Sequence, residues 1–328
     1  MLNPYLQLND NIFDKDVLQK PTRDGFGEGL VSLGEENPNV VVLTADLSES
    51  TRCEEFAKRF PKRFFEVGVA EQNMAAIAAG MGISGKIPFI SSYAVFSPGK
   101  NWETIRTTII YNRSNVKIAG HHSGILTGAD GATHQATEDI AILRALPDIQ
   151  IIVPCDFVEA KKATILAGKI KGPVYLRFSR DKTPVITSDK TPYDGAKIQT
   201  FWISENPSVT IYVAGYLLYY ALLAAKNLEK NGINVLVANV SSIKPLDKLS
   251  LLELSKTGAA VSVEDHQVMG GLGGALAEFF AKNNPLPMEF VGLNDTFAES
   301  GSSMELIKKY KLDETAIEKA VKKVIARK

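Results

Sequence analysis

Residues 66–92 read EVGVAEQNMAAIAAGMGISGKIPFISS, and the change of pattern within them decides the class of fold. From Glu71 onward the segment has the length and composition of a helix, with Ala, Met and Ile and no proline up to Lys86. After Gly85 it gives way to IPFIS, a short apolar run of strand length. The same alternation extends on both sides. VVVLTAD precedes it, and WETIRTTIIY, NVKIAGHH, EDIAILRAL, IQIIVP, FVEAKKATILAG and PVYLRFS follow. Strands alternating with helices predict a mostly parallel sheet covered on both faces.

Beyond Arg180 the pattern lapses into DKTPVITSDKTPYDGAKIQTFWISENP, a polar stretch with several prolines that reads as an interdomain connection. A second series then begins with SVTIYVAG. It continues through a helix from about Tyr216 to Lys230, INVLVANV, AAVSVED, GGLGGALAEFFAK and MEFVGL to a final helix rich in Lys and Glu. The expected architecture is α/β, two consecutive doubly wound domains spanning residues 1–190 and 191–328.

The chain has 328 residues, 45% of them hydrophobic and 23% charged, so each half is long enough to bury its own core. Its formal net charge is zero, which leaves no basic footprint for nucleic acid or an acidic membrane surface. The N-terminal MLNPYLQLNDNIFDK lacks the basic and apolar regions of a signal peptide, and no apolar run is long enough to span a bilayer. A cytoplasmic location is expected. Cys53 and Cys155 stand far apart and outside any metal or redox spacing, and read as reduced, inert thiols.

In an open α/β sheet ligands bind at the carboxyl ends of the strands, so the loops that follow strands are the ones to examine. Five are chemically dense: TADLSES, EVGVAEQN, SSYAVFSPG, HHSGILTGADGATHQATED and RFSRD. Three of the four histidines, His121, His122 and His134, share the fourth loop with Asp130, while Gly124, Gly128 and Gly131 free its backbone to approach a ligand. They form either a site or a set of local hydrogen bonds. The spacing of these histidines and Asp130 matches no zinc motif, and no metal ligands are assigned to this chain.

Glu71 opens its helix, where a carboxylate gains roughly 0.3–1 kcal/mol from the helix dipole. The rest of that helix offers no polar face and is expected to be buried, which sets Glu71 at the edge of a low-dielectric region. A carboxyl there suits proton exchange with a ligand nitrogen. Tyr93 and Phe96 either line a pocket for a flat ring or belong to the core. Arg23, Arg180, Ser50 and the histidines could together hold a phosphate.

Taken together, VGVAEQNM, IPFISSYAVFSPG, TGADGATHQATEDIAILRALP, IVPCD, IKPLD and VEDHQVMGGLGGA resemble the transketolase family of thiamin diphosphate enzymes, in its C-terminal half as found in split, two-subunit versions. The resemblance covers nearly the whole chain. It implies that residues 1–190 form the domain that binds the cofactor's aminopyrimidine ring and 191–328 the transketolase C-terminal domain, whose role lies mostly in dimer contacts. Glu71 would hydrogen-bond the ring at N1′ and so promote removal of the thiazolium C2 proton. Phe96 would stack on the ring, with Tyr93 nearby, although Gly99 stands where the family commonly has a further aromatic. Asp46 would lie near the thiazolium end. Arg23, Ser50, His122 and Arg180 would hold the sugar phosphate, and Asp130 and His134 would contact the donor's hydroxyls and carbonyl, with His134 also managing protons. His121 matches no such position and reads as structural.

The family holds the diphosphate and Mg2+ through a Gly-Asp-Gly motif on a domain that normally comes first, and no Gly-Asp-Gly occurs here. The expectation is half an enzyme. An N-terminal transketolase subunit would complete it in an α2β2 assembly in which this chain also pairs with itself. The small residues after Glu71 fit such a junction, or else tight packing within the subunit. The activity implied is transfer of a two-carbon ketol group between ketose phosphate and aldose phosphate. A deoxyxylulose phosphate synthase-like enzyme, the β subunit of a 2-oxo acid dehydrogenase and an inactive scaffold are the rival readings. GGLGG at residues 270–274 resembles a nucleotide loop only weakly.

Overall fold

The alternating sequence builds two mostly parallel sheets, in a computed structural model that describes all residues 1–328. The strands of the first half are β1 (Gln19–Pro21), β2 (Val40–Thr44), β3 (Phe64–Glu66), β4 (Ile87–Tyr93), β5 (Lys117–His121), β6 (Gln150–Ile152), β7 (Val174–Arg177) and β8 (Lys182–Pro184). Those of the second half are β9 (Gln199–Trp202), β10 (Val209–Val213), β11 (Val235–Asn239), β12 (Ser242–Lys244), β13 (Ala260–Gln267) and β14 (Met288–Leu293). One sheet has seven strands in the order β12-β6-β7-β5-β4-β2-β3, and the other has five in the order β14-β13-β10-β11-β9.

Within these two sheets all pairings are parallel except at one edge of each, where β12 runs antiparallel to β6 and β9 antiparallel to β11; β1 and β8 form a separate antiparallel pair. The stretch after Arg180 is therefore more than a connection. It contributes β8, which pairs with β1, and β9, which closes the edge of the second sheet. Strand β12 comes from the second half of the chain yet completes the first sheet.

Helices α1 (Thr22–Glu36), α2 (Glu54–Arg59), α3 (Glu71–Ile83), α4 (Trp102–Thr104), α5 (Asp139–Arg144) and α6 (Phe157–Lys169) belong to the first sheet. Helices α7 (Leu218–Lys230), α8 (Lys248–Leu254), α9 (Leu272–Asn283), α10 (Ser303–Lys309) and α11 (Glu314–Ile325) belong to the second. Helices α1 and α6 cross closely because α1 carries glycine at the contact. A methyl group at Gly25 would lie 2.1 Å from the Phe157 carbonyl oxygen. Phe26, Leu30 and Leu33 then pack with Ala160, Ala163 and Ala167. Truncating Leu30 to Ala would cost about 2–5 kcal/mol through lost burial and the cavity left behind.

The helix expected to be buried all round is buried on one side only. Met74, Ala75, Ala78 and Ala79 of α3 face the core, whereas Gln72, Asn73, Ala76, Gly80 and Ile83 are exposed. Small apolar residues on the outer side make the two faces look alike in sequence. No helix is long and apolar enough to cross a membrane.

Candidate active site

The chain passes from β2 to its neighbour β3, then crosses to β4 on the other side of β2, so the order of the first sheet reverses at β2. Such a reversal opens a crevice at the carboxyl ends of the strands. All five loops singled out from sequence lie on this edge, after β2, β3, β4, β5 and β7.

Glu71 is the first residue of α3 and only 2% exposed. Its Oε2 accepts a hydrogen bond from Lys100 Nζ at 3.1 Å, across the segment that follows β4. Asn101 locks the two elements together: its Nδ2 donates to the Glu71 carbonyl at 2.9 Å and to Ser97 Oγ at 3.2 Å. The carboxylate thus has a fixed backbone and one half-exposed cationic partner.

Beside it the rings form a continuous group. Tyr93 and Phe96 lie nearly parallel, with centroids 5.9 Å apart and planes at 14°. The His122 ring stacks on Tyr93 at 3.8 Å, and His134 stands edge-on to Tyr93 at 6.2 Å and to Phe96 at 5.6 Å. His134 is held in turn by Thr133, whose Oγ1 is 2.9 Å from Nδ1. Tyr93, Phe96 and His134 are half-buried at the crevice and do not form part of the core, whereas His122 is buried.

The cationic side begins at Arg23, in the first turn of α1, whose Nη1 donates to the Ser50 carbonyl at 2.9 Å and lies 3.5 Å from His122 Nε2. Ser50 thus meets Arg23 through its backbone. Arg23 Nε is buried with no partner in the chain, as is His122 Nδ1. Burial, followed by the charges of Arg23 and Arg180, lowers the His122 pKa to about 3. Neutral His122 accepts at Nε2, which leaves Nδ1 to carry the ring proton. Arg180 Nη1 donates to the Thr127 carbonyl at 2.7 Å and to Asp130 Oδ1 at 3.1 Å. The two guanidinium groups of Arg23 and Arg180 make this end suited to an anion.

Asp46 stands apart from the ring group. It is exposed in the loop after β2, with φ of 61°, and its amide donates to Glu66 Oε1 at 2.7 Å. Glu66 also accepts from Thr44 Oγ1 and the Gly68 amide, so one carboxylate shapes the loops after β2 and β3. His121 lies in the core, stacked on Phe178 at 5.1 Å and edge-on to Phe26 at 4.8 Å, and burial drives its pKa well below the usual value.

Sequence reasoning did not assign roles to Lys100, Asn101 or Glu66. Nothing in their local pattern marks them, because each acts on a loop distant in sequence. The GGLGG stretch is explained by the protein itself: Glu264 on β13 takes the amides of Leu272 and Gly273 at 2.6 and 2.8 Å. The chain's own carboxylate fills the place where a nucleotide loop would hold phosphate. No group of three or more His, Cys, Asp or Glu side chains is placed to hold a metal.

Family models for the transketolase pyrimidine-binding domain and the transketolase C-terminal domain match residues 19–185 and 200–317. A Methanocaldococcus jannaschii protein described as a transketolase C-terminal section is 43% identical over 309 residues, 92% of this chain and 95% of its own length. Human transketolase is 33% identical over 93% of this chain, which spans 49% of the human protein. A solved structure described as a split-gene transketolase, an inactive β4 tetramer, superposes with a TM-score of 0.86 at 42% identity, covering 93% of this chain and 98% of that one. That family generally uses thiamin diphosphate and a divalent metal. With a buried acid at a helix start, a ring group beside it and matches across both domains, the chain belongs to the transketolase family.

Proposed function

We propose that this chain is the C-terminal subunit of a split transketolase, transferring a two-carbon ketol group between a ketose phosphate and an aldose phosphate. The observation that carries the reading is the convergence on one strand edge of Glu71, the Tyr93–Phe96 ring pair and the Arg23–His122 and Arg180–Asp130 pairs.

Thiamin diphosphate fits the first part of this set: a flat ring needs an aromatic face and an acid at its edge, and Phe96 and Glu71 supply them. When bound, the cofactor supplies the nucleophilic carbon for attack on the donor ketone. Glu71 shares a proton with the ring at N1′. Lys100 must yield part of its hold on the carboxylate as that contact forms. Arg23, His122 and Arg180 fix the sugar phosphate, and His134 and Asp130 orient the hydroxyls and carbonyl, with His134 passing protons. Asp46 borders the thiazolium end.

The diphosphate and Mg2+ are assigned to an N-terminal partner subunit, since the sequence contains no Gly-Asp-Gly. The exposed side of α3 offers that partner a close-fitting surface, with Ala76 and Gly80 flanked by Ile83 at 65% and Val69 at 70% exposure. The β4 state described for the split-gene relative suits a subunit that associates with itself when its partner is absent. We assign the assembly to α2β2 and the cytoplasm, consistent with two buried free cysteines.

The test is to mix the chain with a transketolase N-terminal subunit and assay ketose phosphate donors against pyruvate. Ketol transfer by the mixture, and by neither subunit alone, is expected. Activity with pyruvate only, or tight cofactor binding by this chain alone, would overturn the reading.

A further inference from the structure

The substrate end of the site is closed by the second domain. The loop bearing Asp130 and His134 has three glycines at positive φ, two of them Gly128 at φ +70° and Gly131 at φ +74° beside Asp130. Gly128 and Gly131 face the segment between β14 and α10. A methyl group on Gly131 would lie 2.4 Å from Ser300 Oγ, and one on Gly128 would lie 3.3 Å from the Gly301 carbonyl oxygen. Gln135, next to His134 and 3% exposed, donates from Nε2 to the Glu299 carbonyl at 3.2 Å. On the other side Ser303 Oγ donates to Asp181 Oδ2 at 2.5 Å, immediately after Arg180.

The segment is itself anchored. The Glu299 amide donates to Tyr310 Oη at 2.9 Å, the Glu299 carboxylate pairs with Lys309, and Ser302 with Glu305 forms a capping box at the start of α10. Its hydrogen bonds to the first domain go to Gln135 and Asp181, one residue beyond His134 and Arg180; none goes to Glu71, Tyr93 or Phe96.

We infer that residues 299–303 are a positioning element for the sugar phosphate: they set the spacing between the Asp130–His134 loop and Arg180, and thereby the affinity for substrate, without touching the cofactor end. This rests on the assignment of Asp130, His134 and Arg180 to the sugar phosphate made above. Ser303 is a positioning residue and acts through Asp181 and Arg180. At Gly128 the neighbour is the Gly301 backbone and at Gly131 the short Ser300 side chain, so close contacts with little freedom to move hold the spacing.

The experiment uses Ser303→Ala in the complex with the N-terminal subunit. Loss of a hydrogen bond to a charged acceptor should raise KM for a ketose phosphate about tenfold, with kcat and C2-proton exchange of the bound cofactor within about twofold. Ser303→Thr, which keeps the hydroxyl, should restore KM. In the isolated chain, amide hydrogen exchange at residues 128–135 should quicken in Ser303→Ala. Unchanged KM, or a parallel fall in C2-proton exchange, overturns the inference, as does unaltered amide exchange. If the wild-type complex shows no ketol transfer, the functional reading fails instead, and the amide exchange still decides whether the second domain holds the loop.

Discussion

The carboxyl edges of the two sheets carry similar residues and put them to opposite uses. In the second sheet β13 ends in Glu264, Asp265 and His266, all at most 2% exposed. Glu264 is taken up by the start of α9, Asp265 by the Ile125 amide and Tyr216 Oη, and His266 Nδ1 by the Gln267 carbonyl. In the first sheet Glu71 has one half-exposed cationic partner, and Arg23 Nε and His122 Nδ1 have none. An acid or a histidine at a strand end therefore says little by itself. Full pairing of Glu264, Asp265 and His266 makes one edge a joint, and the incompletely paired Glu71, Arg23 and His122 make the other a site.

Glu71→Gln should break the first edge most severely. In the assembled enzyme it should lower kcat about 10²–10⁴-fold, the usual range for a lost acid–base group, while thermal unfolding of the chain stays put. A stability loss as large as the activity loss would move Glu71 into the same class as Glu264.

The joint should break next. Arg177 Nε pairs with Asp139 Oδ2 at 2.9 Å, and Nη2 reaches the Asp265 carbonyl at 2.9 Å across the domain boundary. Burial raises the Asp139 pKa, but the Arg177 charge more than offsets this and holds it below the usual range. Arg177→Met strands that carboxylate and should cost about 3–5 kcal/mol in urea unfolding.

A milder probe of the joint is pH. Glu159 on α6 accepts from Cys155 Sγ and from Asn239 Nδ2 of the second half, both at 2.9 Å, and burial raises its pKa from 4.5 to about 7. A raised folded-state value means that its contribution is fully present below pH 4.5 and lost as pH rises through about 7. Glu159→Gln copies the protonated form. Relative to the wild type it should gain about 3 kcal/mol between pH 4 and pH 8, measured by chemical unfolding at each pH. A flat difference would place the ionised carboxylate comfortably in the joint.

The smallest effect is expected on the outer side of α3. Ile83→Asp should change the stability of the isolated chain by no more than about 0.5 kcal/mol, as exposed sites generally do, yet abolish co-elution with the N-terminal subunit. Retained co-elution would move the partner's contact elsewhere.

Much of this edge was legible in the sequence. The Val- and Ile-rich runs marked the strands, and the loops after them collected glycine, histidine and acids, which is why Glu71, Phe96, His122 and Arg180 could be named. What escaped notice had physical reasons. Strands β8 and β9 have three and four residues, too few for a period to show among prolines and turn residues. Beyond Asn73 the two faces of α3 are both small and apolar, so hydropathy could not separate core from contact surface. Lys100 with Glu71, and Ser303 with Asp181, are meetings of distant segments that no local pattern records.

Strand β12 has a consequence for how the molecule is made. During synthesis the first sheet waits for residues 242–244, since until they leave the ribosome the outer edge of β6 has no neighbour. A gene cut near residue 190 would deliver a protein with that edge bare, a ready template for joining another copy. The two halves can be told apart by fold, but they do not come off the ribosome as independent products.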